Sequence, residues 1–439
     1  MQFSHKEKHH PMKCLILLMI VSLPTLKSQP TEVRQWHASS GHETQARALS
    51  ATATAVKLEL PSGKTFELPL EKLIAADREF ILKRFNVVLP KVGDPQRSTD
   101  ALIQAEGQTW PPGKISGPVE SAPGSHYYIY LPKSLRAGRK APLLHFNGSG
   151  GGNPEQMQRY LAGCESFGWI LVASVESKNN TTFVVNSRHA ANNIAMLRAT
   201  PLVDARRIYF TGQSGGGAMS WWNALELDGA GTLPSIGYIP FEIKVTKGHH
   251  FILHGATDYN RYLGGRAAAQ FGKDAFYRMH PGGHNYPKEE YIIREGIGWL
   301  TGKYLAANSG NSSLAGERLD YEAAMIDWIR QLSEKDPGLA YHLGEFMVST
   351  YRVSGKNATL LDGIVSKLRQ SPGNVVYEEG VQAIHEFGVK EFGSFQYVGS
   401  MNGKNHEAHA KTALRLAEKY KGDPFVEETL REMALPAQK

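Results

Sequence analysis

Ser214, Asp258 and His284 are three residues that can do chemistry together, and each follows a short apolar run. Ser214 stands in Gly212-Gln213-Ser214-Gly215-Gly216, between the β-branched and aromatic run Arg207–Thr211 and a helix-forming segment. A serine flanked by glycines between a strand and a helix has the context of a nucleophile elbow, a turn so tight that Cβ atoms beside it would collide. Asp258 lies just past Phe251-Ile252-Leu253-His254, and His284 follows Ala275–Met279 through Pro281-Gly282-Gly283. In such a set the histidine takes the serine's proton during attack and returns it to the leaving group. The aspartate holds the imidazole tautomer and stabilises the imidazolium. An oxyanion hole would draw one N–H from Gly215 and another from Asn147-Gly148-Ser149, with Ser149 favoured and Gly148 the alternative.

Each residue also has a plainer reading. Ser214 could be an ordinary strand–helix turn, Asp258 a helix cap and His284 a surface-loop residue. Asp228 and Asp274 are rival acids, but neither follows a buried strand so directly. His249, His250 and His254 lie before or within a strand and read as structural, and Trp221-Trp222 reads as core. Gly148–Gly152 lacks the Gly-Lys-Ser/Thr of a phosphate loop. The histidines and acids lack metal-ligand spacing, so neither metal nor cofactor is expected.

These residues need a sheet to hold them. Strands are expected at Ser125–Pro132, Ala141–Phe146, Trp169–Val175, Arg207–Thr211, Ile236–Ile239, Phe251–His254 and Ala275–Met279, with helical stretches near Asn153 and at 186–199. Alternation of this kind indicates βαβ units and a mainly parallel sheet flanked by helices. Past residue 308 helical spacing dominates, as in Leu319, Ala323, Ile326 and Ile329. Gly422-Asp423-Pro424 reads as a helix stop, an N-cap and a Pro at N1. Val375–Tyr377 and Phe395–Val398 are candidate short strands.

Toward the N-terminus, a basic segment ending at Lys13 precedes the apolar run Cys14–Leu23, so residues 1–28 read as a signal peptide, with an uncleaved anchor as the alternative. Met12 is an alternative start. Residues 29–50 are polar and aperiodic and read as a linker. Residues 51–90 form a small β-rich unit: a hairpin at 55–70 about Pro61-Ser62-Gly63-Lys64, then a short helix at 71–81. Residues 91–118, rich in Pro, Gly and Asp, read as a second linker. Residues 119–308 hold the parallel sheet and 315–435 a helical C-terminal region.

The 439 residues are 41% hydrophobic and 21% charged, ordinary for a globular protein. The leader carries four lysines and one glutamate, so the net charge of +7 falls to +4 without it. That excess, without a dense basic cluster, does not argue for nucleic acid. No membrane span is expected once the leader is removed. Cys164 would be the sole remaining cysteine, which is compatible with export.

From about 120 to 307 the chain resembles the α/β-hydrolase superfamily, and within it exported esterases of the polyhydroxybutyrate-depolymerase and feruloyl-esterase kind. The motifs are YIYLP, NGSGG, RRIYFTGQSGGGAM, HGATD and PGGHNYP, in the family order of serine, acid and histidine. Two features depart from it: Asn147 stands where the loop histidine is usual, and the 44 residues from Ser214 to Asp258 leave little room for a lid. Residues 55–81 are similar to part of an SHD1 (Sla1 homology domain 1) module, which implies interaction rather than chemistry. The resemblance implies an exported bacterial serine hydrolase that cleaves esters of a small molecule or polymer through an acyl-enzyme. A peptidase or amidase on the same triad, and a catalytically silent scaffold that binds proteins through its SHD1-like or helical parts, stay open.

Overall fold

The computed structural model describes residues 30–37, 43–52, 55–85, 110–136, 139–240, 247–393 and 403–437. It comprises two compact units that divide at Leu89/Pro90. The expected leader, most of the second linker and Phe395–Val398 lie outside the described residues.

The first unit is a four-stranded antiparallel sheet, in order β1 (Arg34–His37), β2 (Glu43–Ala51), β3 (Ala55–Glu59) and β4 (Thr65–Pro69), with helix α1 (Ala75–Arg84). The expected hairpin and helix are present. The linker expected at 29–50 is not, because β1 and most of β2 occupy it. Its hydropathy signal is weak because the inward residues of β2 are Ala46 and Ala48, both fully buried. Trp36 buries its ring beside them and donates its indole N–H to Ala46 O at 2.7 Å.

The second unit carries an eight-stranded sheet with strands β5 (Ile115–Ala122), β6 (Ser125–Tyr130), β7 (Ala141–Asn147), β8 (Ile170–Ser174), β9 (Val203–Gln213), β10 (Gly231–Ser235), β11 (His249–Gly255) and β12 (Ala275–His280). Their spatial order is β5-β6-β8-β7-β9-β10-β11-β12. From β8 to β12 every pairing is parallel, and β5 and β6 join antiparallel. The helices are α2 (Pro154–Phe167), α3 (Phe183–Arg198), α4 (Gly215–Glu226), α5 (Arg261–Phe271) and α6 (Tyr291–Ala307). This is the α/β-hydrolase fold.

Alternation along the strands divides the core. Leu143, Ile170, Val172, Ile208 and Phe210 face one apolar cluster, while Leu144, Leu171, Ala173 and Tyr209 face the other. Both faces are covered, so β7 and β8 are buried along their whole length. Two expectations shift. The expected second linker ends early, since β5 begins at Ile115; as an edge strand it accommodates Pro118. The strand placed at 236–239 is instead Gly231–Ser235, where Pro234 in a central strand hides the signal.

The C-terminal region forms helices α7 (Ala315–Lys335), α8 (Pro337–Glu345), α9 (Gly355–Arg369), α10 (Pro372–Phe387), α11 (Gly403–Lys419) and α12 (Pro424–Met433). Val375–Tyr377, a candidate strand, lies in the first turns of α10, which Pro372 opens. Asp423 caps α12 by accepting from Val426 N at 2.9 Å. These helices extend the core of the sheet: Met325, Ile329, Leu343, Ile384 and Leu430 belong to the same cluster as Leu144 and Tyr209. They also cover the β12 edge, where Tyr277 N donates to His385 Nδ1 at 2.9 Å.

Candidate active site

Strand β9 ends at Gln213 and α4 begins at Gly215, leaving Ser214 at φ 55° and ψ −117°. A serine held at positive φ is strained, by about 1–3 kcal/mol, and persists only where its surroundings over-determine it. Here Ser214 N donates to Ser235 O at 3.0 Å. The turn is also closed by contact: a Cβ on Gly212 or Gly216 would lie 2.3 or 1.9 Å from Asn147 O. Asn147 thus forms the floor beneath the elbow. Its Nδ2 donates to Thr211 O, and its Oδ1 accepts from Ser177 Oγ and Asn223 Nδ2, all within 3.3 Å. An amide therefore ties β7, β9, the loop after β8 and α4 together.

The structure brings the three predicted site residues together. Ser214 Oγ is 2.9 Å from His284 Nε2, and His284 Nδ1 is 2.9 Å from Asp258 Oδ1. Asp258 is fully buried and the His284 side chain 22% exposed, so the carboxylate is shielded while the imidazole is open to the surface. Burial alone would raise the Asp258 pKa, but hydrogen bonds from His254 and His284 overcome it and hold the carboxyl at about 2. An ionised carboxylate only accepts, which places the His284 proton on Nδ1 and leaves Nε2 free to accept from Ser214. The loops carrying acid and base are stitched together, since Thr257 N donates to Gly282 O at 2.9 Å and Ala256 N to His280 O at 2.8 Å.

Ser149 and Gly148, the predicted oxyanion-loop residues, follow β7 directly against the elbow. Ser149 O accepts from Asn179 N at 2.8 Å. The Asn179 side chain reaches Gly215, where an added Cβ would lie 2.0 Å from its Oδ1. Asn179 thus connects the two halves of the predicted oxyanion hole. Asp228 pairs with Lys247, and Asp274 with His249 and Lys303, so the rival acids engage elsewhere.

Sequence reasoning missed three neighbours of the triad. His254, read as structural, donates Nδ1–H to Asp258 Oδ2 at 2.8 Å, so two imidazoles share one carboxylate. Its signal was the four-residue spacing to Asp258. Tyr259 stacks on His284 with ring centroids 4.4 Å apart, and its hydroxyl is 3.2 Å from His284 Nε2. Asn179 sits in a polar turn whose next residue, Asn180, has φ 66°, and gave no signal beyond a loop. Among the described residues no group of three His, Cys, Asp or Glu stands where it could hold a metal ion, and no helix is long and apolar enough to cross a membrane.

No family model and no curated protein matches the sequence. Among solved structures, the chain is similar to the apo form of Thermogutta terrifontis esterase 2 at 14% identity and a TM-score of 0.35, over 46% of this chain and 96% of that one. The butyrate-bound esterase from the same planctomycete gives 14% and 0.36, over 45% and 94%. Est1E from Butyrivibrio proteoclasticus gives 15% and 0.32, over 40% and 93%.

Proposed function

We propose that this protein is a serine hydrolase that cleaves carboxylic esters through an acyl-enzyme. The observation that carries the reading is the unbroken hydrogen-bonded line from Ser214 Oγ through His284 to buried, ionised Asp258. Ser214 attacks the carbonyl carbon while Nε2 of His284 takes its proton, and Asp258 stabilises the imidazolium. The N–H groups of Gly215 and Ser149, with Gly148 as the alternative to Ser149, receive the negative charge that develops on the carbonyl oxygen. The protonated imidazole then gives its proton to the departing alcohol, and water repeats the sequence to release the acid. The apolar leader at 1–28 supports an exported bacterial enzyme acting on ester-containing small molecules or polymers.

The test is active-site labelling. A fluorophosphonate probe is expected to label the wild type and not Ser214→Ala, and no labelling of the folded wild type would remove the hydrolase reading. Asp258→Asn is expected to lower kcat by about 10⁴-fold, because it reverses the imidazole tautomer. Hydrolysis of nitrophenyl and feruloyl esters but not of peptidyl amides fits the ester assignment, and the reverse preference overturns it.

A further inference from the structure

We propose that Tyr259 is a further catalytic residue whose hydroxyl donates a hydrogen bond to the leaving-group oxygen as the ester bond breaks. This rests on the serine-hydrolase reading of the same site.

The placement of Tyr259 is fixed from both sides. Asn260 N donates to Asp258 Oδ1, and Asn260 Nδ2 donates to Ile236 O, both at 3.0 Å. The turn carrying Tyr259 is therefore pinned to the triad acid and to the end of β10. Its ring covers one face of His284 at an interplanar angle of 25°. Its hydroxyl is 3.2 Å from Nε2, the same nitrogen that Ser214 Oγ meets at 2.9 Å. Two hydroxyls thus converge on one nitrogen that has a single lone pair.

That crowding resolves when the reaction starts. Once Ser214 Oγ bonds to the carbonyl carbon, its proton moves to Nε2, which then has no lone pair to offer Tyr259. The tyrosine O–H is released toward a new acceptor. The oxygen that arrives is that of the leaving group, which must come within about 2.6–3.2 Å of the same Nε2–H to collect the proton. Breaking the C–O bond sends its electron pair to that oxygen, and the proton from Ser214 follows through Nε2. Tyr259 keeps its own proton and contributes a hydrogen bond only. Burial and the charge of Asp258 raise the Tyr259 pKa, which keeps the hydroxyl a donor.

A donor of this kind matters most when the departing oxygen is strongly basic. The test is Tyr259→Phe, assayed on an ethyl and a p-nitrophenyl ester of one acid. The kcat/KM for the ethyl ester is expected to fall about tenfold or more, and that for the nitrophenyl ester less than about threefold. Equal losses on both esters, or none on either, overturn the proposal. The ratio is read within one preparation, so partial unfolding of the variant scales both rates alike and leaves the ratio unchanged. Failure of the probe to label wild-type Ser214 would instead strike the hydrolase reading itself.

Discussion

Gly215 and Gly216 follow the same serine, but different neighbours confine them. A methyl group on Gly216 would meet the backbone oxygen of Asn147 at 1.9 Å, and that oxygen sits at the end of a buried strand that cannot move. A methyl group on Gly215 would first meet the side chain of Asn179, which can rotate. Gly216→Ala is therefore expected to lower Tm by several degrees or prevent folding. Gly215→Ala should fold but lose about 10²-fold in kcat as the displaced amide disturbs the oxyanion loop, and adding Asn179→Ala should restore most of it. A double-mutant cycle in kcat checks the coupling, and additive effects would contradict it. The grouping of Ser214, Asp258 and His284 was legible in the sequence, because residue type and position after a strand single them out. His254 left a signal only in its four-residue spacing to Asp258, while Asn179 and Tyr259 left none, because their contacts arise where separate loops meet and a linear pattern carries no record of that meeting.

Among elements, α12 ties the C-terminal region to the site. Glu432 Oε2 accepts from Gly282 N, and Leu435 O, just beyond the helix, accepts from Arg261 Nη2 at 2.7 Å. Arg261 is fully buried and also donates to Ala256 O in the acid loop. One C-terminal turn thus holds both the loop that carries the base and the loop that carries the acid. Glu432→Ala is expected to lower kcat about tenfold with little change in KM, because His284 loses its orientation while the ligand surface stays. Glu432→Gln, which keeps an acceptor, should retain most of the rate, and equal loss in both variants would point to charge instead. The sheet was largely readable from apolar runs. Elements went unread where the inward residues are alanines, as in β2, where a proline interrupts a central strand, as in β10, or where β-branched residues open a helix, as at Val375-Val376.

Across the second unit, a buried polar network joins the sheet to the C-terminal helices. Arg278 of β12 pairs with Glu295 of α6 at 3.2 Å, and Glu295 in turn faces His342 of α8 at 3.3 Å. His342 also pairs with Glu378 of α10, and Arg278 Nη2 donates to Tyr377 OH at 2.8 Å. Burial would favour neutral His342, but Glu378 and Glu295 overcome it and raise its pKa to about 9. A group whose folded pKa lies above its unfolded value of about 6.5 stabilises fully below 6.5, and that contribution is lost as pH rises through 9. Thermal unfolding from about pH 6 to about pH 10 is expected to show Tm falling across this window, by a contribution of up to about 3 kcal/mol. His342→Gln should unfold at lower temperature throughout and lose the decline, and a decline that persists would assign it to another group. The hold of α12 on the base loop has a different consequence, for biosynthesis. Glu432 lies 150 residues beyond Gly282. At ordinary rates of translation the ribosome makes the loop that carries His284 roughly 8–30 s before its anchor. A nascent chain that already contains serine, aspartate and histidine therefore waits for residue 432 before the loop that carries His284 gains this anchor, and the site reaches its final geometry only when that last stretch has been made.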